Sequence, residues 1–160
     1  MKPILTGLVL AAAMAANPAL AKDKLLLKTP VAFSTALPGL GTPIPRVAEE
    51  VALMSGGTMK MKVYEPGKLV PPFEILEAVS SGKINSCYTT AGYWAGKIPA
   101  APIFSAVPFG PEAGEYMAWL YYGNGLPLYQ EMYDQAGYNV HVLPCAILAP
   151  ETSGWFAKEL

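Results

Sequence analysis

Met59-Lys60-Met61-Lys62-Val63-Tyr64 (MKMKVY) decides the fold, because it alternates. Met59, Met61 and Val63 fall on one side of an extended chain and Lys60 and Lys62 on the other, which is the period-two signature of a half-buried strand. Upstream of it, Thr42-Pro43 reads as an N-cap with proline in the first helical position. Ile44, Val47, Ala48 and Val51 follow at helical spacing with Arg46, Glu49 and Glu50 turned away, and Ser55-Gly56-Gly57 ends that helix. Further upstream, Phe33–Gly41 (FSTALPGLG) reads as a loop, and Lys24–Pro30 (KLLLKTP) as a buried strand closed by proline.

Downstream of the alternating strand, Pro71-Pro72 opens a second helix, with Phe73, Leu76 and Val79 expected on its inner face and Ser81-Gly82 at its end. Ile84–Thr89 predicts a third strand. The order strand, helix, strand, helix, strand implies an α/β domain with parallel strands. After Phe109-Gly110-Pro111, Tyr116, Leu120 and their neighbours mark a helix that Gly123-Asn124-Gly125 interrupts. Leu128–Ala136 resumes it, Gly137 ends it, and Asn139–Leu143 predicts a last strand. Glu151–Leu160 (ETSGWFAKEL) breaks off in mid-pattern, so a longer chain is expected.

Residues 1–21 stand apart from this folded pattern. Lys2 supplies a short positive start, Ile4–Ala16 is apolar apart from Thr6 and Gly7, and Asn17-Pro18 breaks any helix before the Ala19-Leu20-Ala21 cleavage site. These are the three parts of a secretory signal peptide, and the run is shorter than the ~20 apolar residues a membrane-spanning helix needs. Cleavage removes Lys2 alone, which leaves ten basic and twelve acidic side chains and moves the net charge from −1 to −2. So balanced a charge gives no electrostatic footprint for nucleic acid. An oxidising compartment permits a disulfide between Cys87 and Cys145, and two buried free thiols are the other reading.

No catalytic constellation is legible. The single histidine, His141, lies between Val140 and Val142 with no nucleophile motif beside it. The glycines of Leu37–Gly41 lack the Lys-Ser/Thr ending of a phosphate loop, and no His/Cys spacing matches a metal site. Glu49 and Glu50 read as a solvated helix face. Glu74 and Glu77 suit the positive end of the helix opened at Pro71, and Arg46, the only arginine, lies near a helix start. More informative are the aromatics in loops that follow strands: Tyr88, Tyr93 and Trp94 after the third, Trp155 and Phe156 after the last, with Glu151 beside them. Ligands of α/β folds bind beyond the carboxyl ends of strands, in pockets walled by aromatics with a few polar groups. Aromatics at this spacing are core residues more often than ligand contacts.

Several stretches, taken in order, are similar to the solute-binding receptors of TRAP (tripartite ATP-independent periplasmic) transporters. They are Val63-Tyr64 through Leu69-Val70-Pro71 (VYEPGKLVP), Phe73–Gly82 (FEILEAVSSG), Thr89–Ala101 (TTAGYWAGKIPAA), Phe104–Gly110 (FSAVPFG) and Ser153–Phe156 (SGWF). The likeness covers nearly all of the mature chain and is nearest to the branch that takes 2-oxo and 2-hydroxy acids. It implies a type II periplasmic-binding-protein-like fold. Residues 1–21 would then be the signal peptide, 22–140 the first α/β lobe, and 141–160 the crossing strand and the start of a second lobe.

The resemblance also implies site residues. A polar residue shortly before Gly-Trp-Phe helps to hold a cation that bridges receptor and ligand carboxylate. That position is Glu151 here, where relatives carry glutamine. A carboxylate facing an anionic ligand requires an intervening cation, and an oxygen-ligated Na⁺ or Ca²⁺ suits both groups. A turn cap is the alternative role for Glu151. Tyr93 and Trp94 match the first lobe's aromatic wall, and Ser34 and Thr35 are placed at the cleft mouth. The family's carboxylate-clamping arginine, which follows Gly-Trp-Phe, has no counterpart within these 160 residues.

The function expected from these readings is a periplasmic receptor that performs no covalent chemistry. It would capture a small 2-oxo or 2-hydroxy monocarboxylate and deliver it to membrane permease subunits, with self-pairing into a homodimer left open. The alternatives are an exported enzyme on the same scaffold, which turnover of the bound acid would reveal, and a ligand-sensing module, which a neighbouring histidine kinase gene would favour.

Overall fold

The computed structural model describes residues 24–148 and 157–158. Strand β1 (Leu25–Pro30) and strand β2 (Met59–Tyr64) pair in parallel, with Leu25 opposite Met59 and Pro30 opposite Tyr64. Helix α1 (Pro43–Met54) connects them and packs on β2. The alternation in β2 is realised: Lys60 and Lys62 are exposed, while Met61 and Val63 pack against Val31, Ile44 and Tyr88.

Proline starts α1 as expected, but Thr42 does not cap it. The Thr42 hydroxyl instead accepts the Gly39 N–H at 3.3 Å, back in the preceding loop. At the other end, Gly57 N–H reaches Ala52 O (2.8 Å) and Gly56 N–H reaches Leu53 O (3.0 Å), with both glycines at positive φ. This paired closure satisfies carbonyls that the last helical turn leaves open, and it needs the left-handed conformation that glycine adopts without steric cost.

The second helix is shorter than the sequence pattern implies. Pro72–Glu74 form a 3-10 turn, and α2 (Ile75–Ser80) follows. Its buried face is Ile75, Leu76 and Ala78; Phe73, expected inside, is 65 % exposed. The third strand is reduced to a single parallel bridge between Val31 and Tyr88. The physical reason lies in Pro30. Tyr88 N–H donates to Pro30 O and Ala32 N–H to Tyr88 O, so the next ladder bond back requires an N–H at residue 30, which proline lacks. The side-chain amide of Asn85 covers the edge instead, accepting Lys28 N–H at 2.8 Å and donating to Leu26 O at 2.9 Å.

Helices α3 (Ala113–Tyr122) and α4 (Gly125–Gln135) are separated at Gly123-Asn124, as the sequence indicates. A Cβ on Gly125 would stand 2.8 Å from the Cα of Leu120 and from the Trp119 ring, so only glycine allows this close turn. The last expected strand does not form: Asn139–Leu143 carries no regular secondary structure, and Val140 N–H turns back to Tyr138 O at 3.1 Å. The Gln130 side chain from α4 plays the partner's part, donating to Val140 O (2.7 Å) and accepting Val142 N–H (3.1 Å).

Two groups of buried side chains hold these elements together. Ile75, Leu76, Trp94, Ile98, Met132 and Tyr133 centre the larger, and Val31, Ile44 and Tyr88 form the smaller. Phe33 packs against both and links them. Among the described residues, no helix is long and apolar enough to cross a membrane.

Candidate functional site

The parallel arrangement sends three chain segments out at one end of the sheet: the loop after β1, the turn after β2, and the segment after Tyr88. Three aromatic rings from these segments meet there. Tyr93, in a 3-10 turn over Ala91–Trp94, stacks on Phe73 at 4.9 Å and 29° and meets Phe33 edge-on at 5.5 Å and 61°. Tyr93 is half-buried and Phe73 exposed, so the pair presents an aromatic surface at the carboxyl ends of the strands.

The other two expected wall residues lie beneath this surface. Trp94 is 1 % exposed and meets Tyr93 edge-on at 6.3 Å from within the core. Its Nε1 has no hydrogen-bond partner among the described residues. Tyr88 is also buried, and its hydroxyl donates to Leu40 O at 2.8 Å, pinning the loop that follows β1. In this arrangement Trp94 and Tyr88 support the surface and expose almost none of it; Phe33 and Phe73 accompany Tyr93 instead. Sequence reading passed over Phe33 as part of a loop and assigned Phe73 to a helix interior. Phe33 stands just after β1, a position that could have identified it, whereas Phe73 lies nine residues beyond β2 with no such signal.

The loop at 33–41 is closed tightly on itself. Leu37 N–H donates to Ser34 O (2.9 Å) and Gly41 N–H to Leu37 O (2.8 Å), and a Cβ on Gly41 would fall 1.8 Å from Ser34 O. Ser34 is exposed. Thr35 is half-buried and held by Glu65, the residue that follows β2: its N–H donates to Oε2 at 3.3 Å and its hydroxyl donates to Oε1.

Other charged groups are accounted for without a ligand. Arg46 pairs loosely with Glu50 at 3.9 Å on the exposed face of α1. His141 is exposed on the segment that follows α4. Glu77 forms an ion pair with Lys97 and accepts the Tyr138 hydroxyl at 3.5 Å. Partial burial pushes the Glu77 carboxyl up, but the Lys97 hydrogen bond, the helix backbone and the Lys97 charge together hold it below the ordinary glutamate range. Glu77 and Lys97 line an open cleft of about 640 Å³ with Leu69, Val70, Glu74, Lys83 and Ile84. It contains none of the expected wall residues, and its two carboxylates balance its two ammonium groups, so it has no net charge to attract an anion. Among the described residues, no group of three or more His, Cys, Asp or Glu side chains is placed to hold a metal. Glu151, the expected cation ligand, lies outside the described residues, as do Trp155, Phe156 and the expected signal peptide.

Cys87 and Cys145 are free thiols. Both were expected to be buried if free, but Cys87 is half-buried and Cys145 exposed. Burial, with a smaller contribution from Cys145, pushes the Cys87 thiol up to about 11.

Comparison with known proteins places this geometry in a family. Residues 41–143 match bacterial extracellular solute-binding protein, family 7. The chain belongs to that family. A relative from Nostoc sp., a monocarboxylate 2-oxoacid-binding periplasmic protein, is 39 % identical over 114 residues, which cover 71 % of this chain and 31 % of the relative. Two solved TRAP periplasmic solute-binding proteins are each 31 % identical, with a TM-score of 0.67 over 72 % of this chain and 35 % of theirs. The one from Pseudoalteromonas atlantica holds sodium and pyruvate, and the one from Colwellia psychrerythraea holds calcium and pyruvate. The described α/β elements thus correspond to part of such a receptor, and the family 7 chain spans about a third of the length of these relatives.

Proposed function

We propose that this chain is part of a periplasmic TRAP receptor that captures a 2-oxo monocarboxylate such as pyruvate together with a bound cation. The observation that carries the reading is the 39 % identity to a 2-oxoacid-binding periplasmic protein. The two pyruvate-holding structures, one with sodium and one with calcium, support it. On this reading residues 1–21 are a cleaved signal peptide, 22–140 form the first lobe of a type II periplasmic-binding fold, and 141–160 cross towards a second lobe. The occupied receptor then delivers its acid to membrane permease subunits.

Within the site, Tyr93 forms the exposed wall with Phe33 and Phe73, and Trp94 and Tyr88 back it. A flat aromatic surface excludes water on one side of a small planar acid and leaves the carboxylate to polar groups. Glu151 supplies an oxygen to the cation. A carboxylate there repels the ligand's own charge, and the cation between them converts that repulsion into a shared ligation.

The test is calorimetric titration of the full-length protein with pyruvate in the presence of Ca²⁺, of Na⁺, and of a chelator in sodium-free buffer. Saturable heat with a cation, and little without one, is the expected result. No binding of pyruvate or lactate under any of the three conditions overturns the reading. With cation present, Glu151→Ala and Tyr93→Ala are each expected to weaken binding.

A further inference from the structure

We propose that Glu65 is a positioning residue of the binding site, holding the loop after β1 so that the aromatic wall is pre-formed before ligand arrives. This rests on the receptor reading above. Glu65 directly follows β2, and β2 ends beside the end of β1, where Tyr64 O accepts Val31 N–H at 3.0 Å. Its carboxylate therefore stands at the root of the loop that leaves β1. Both oxygens are engaged by one residue of that loop, Thr35, thirty positions away in sequence: Oε2 by the backbone N–H and Oε1 by the hydroxyl.

Two residues before Thr35, the Phe33 ring lies against Tyr93. The far end of the loop is fastened separately, where Tyr88 donates to Leu40 O. The loop thus has a tie at each end, and the tie at the Phe33 end is Glu65. Residue types explain why a carboxylate suits the position. It accepts two hydrogen bonds at once from a donor pair whose spacing the threonine backbone fixes, and charged acceptors make the stronger bonds. A glutamine side chain preserves the pairing, since its oxygen accepts the Thr35 N–H and its NH₂ donates to the hydroxyl oxygen. An alanine removes both bonds.

The experiment is pyruvate titration, with Ca²⁺ present, of full-length wild type, Glu65→Ala, Glu65→Gln, Thr35→Val and the Thr35→Val/Glu65→Ala double variant. If loss of the tie leaves the loop in its competent position about a tenth of the time, affinity falls about tenfold in Glu65→Ala. Glu65→Gln is expected to remain within about twofold of wild type on the same reasoning, because the loop stays closed. The double variant is expected to be no weaker than Glu65→Ala alone, because the two residues act through one contact. Wild-type affinity in Glu65→Ala overturns the inference, as does a Glu65→Gln loss equal to that of alanine, which would assign the effect to charge. If Glu65→Ala does not fold, Thr35→Val decides: unchanged affinity there overturns the inference too. Failure of the wild-type protein to bind pyruvate would instead count against the receptor reading itself.

Discussion

Asn85 stands to Lys28 as a neighbouring strand would: its Oδ1 accepts the Lys28 N–H at 2.8 Å, while its Nδ2 donates to Leu26 O two residues earlier at 2.9 Å. Gln130 repeats the device on Val140 and Val142. In both places a side-chain amide carries one acceptor and one donor to backbone groups at residues i and i+2, which is the spacing a strand presents along one edge. A sheet edge left open invites pairing with another chain, and a side chain occupying those groups blocks it.

Replacing Asn85 with alanine leaves Lys28 N–H and Leu26 O to water. The pair is exposed, so the expected loss is about 1 kcal/mol, the ordinary net contribution of hydrogen bonds of this kind. Urea denaturation of the full-length protein measures it. A change within error would show that the edge is equally well served by solvent.

Gly41→Ala is expected to be far more damaging. The added methyl would sit 1.8 Å from the Ser34 carbonyl oxygen, and its three nearest neighbours are all backbone atoms, so no side chain can swing aside. The cost is expected at or above the roughly 3 kcal/mol that marks the top of ordinary overpacking. A melting temperature within a few degrees of wild type would show that the loop can open without consequence. Gly96→Ala, whose Cβ meets nothing within 4 Å, is the matched control.

The Glu77–Lys97 pair sets a pH dependence. The Glu77 carboxyl is held below its ordinary value in the folded protein, so its contribution is fully present above the unfolded glutamate range and is lost as pH falls through the folded value. Lys97 is raised, chiefly by its hydrogen bond to Glu77, so its contribution is present below the ordinary lysine range and lost as pH rises through the folded value. Both side chains are nearly half exposed, which makes the effect small. Lys97→Met is expected to flatten stability below the glutamate range when denaturation midpoints are followed across pH. An acid limb unchanged by Lys97→Met would show the pair to be energetically silent.

The two thiols should differ in reactivity. Burial raises both thiols, Cys87 to about 11, so Cys87 holds almost no thiolate at neutral pH, and of the two Cys145 is the more exposed to reagent. Alkylation of reduced native protein at pH 7 is expected to modify Cys145 well before Cys87, with the two equalising in denaturant. Equal rates in the native state would contradict the burial of Cys87.

Tyr93 and Trp94 are adjacent in sequence and part company in the structure. Sequence places both after a strand, and the resemblance makes both wall residues. Which one faces outward depends on the turn of the 3-10 segment that carries them, and packing against Ile75, Ile98 and Met132 draws the indole inward. Phe73 goes the opposite way: helical spacing points it inside, but the chain begins with a 3-10 turn there, which rotates the apolar stripe onto Ile75 and Leu76. Periodicity assumes a regular element, and it misplaces side chains wherever the element is irregular.

By itself the sequence determined the parallel α/β beginning of the chain. Alternation in Met59–Tyr64, proline at the head of α1 and glycine at its end are local requirements of strand and helix geometry, and they act whatever lies beyond. Only the tertiary structure decided how far the sheet extends and which aromatics meet. Whether Ile84–Thr89 completes a ladder depends on the amide missing from Pro30, fifty-odd residues away, and Phe33 meets Tyr93 sixty residues along the chain, beside a loop bonded to Glu65 and Tyr88. Such contacts join residues distant along the chain, and short-range spacing carries no information about them.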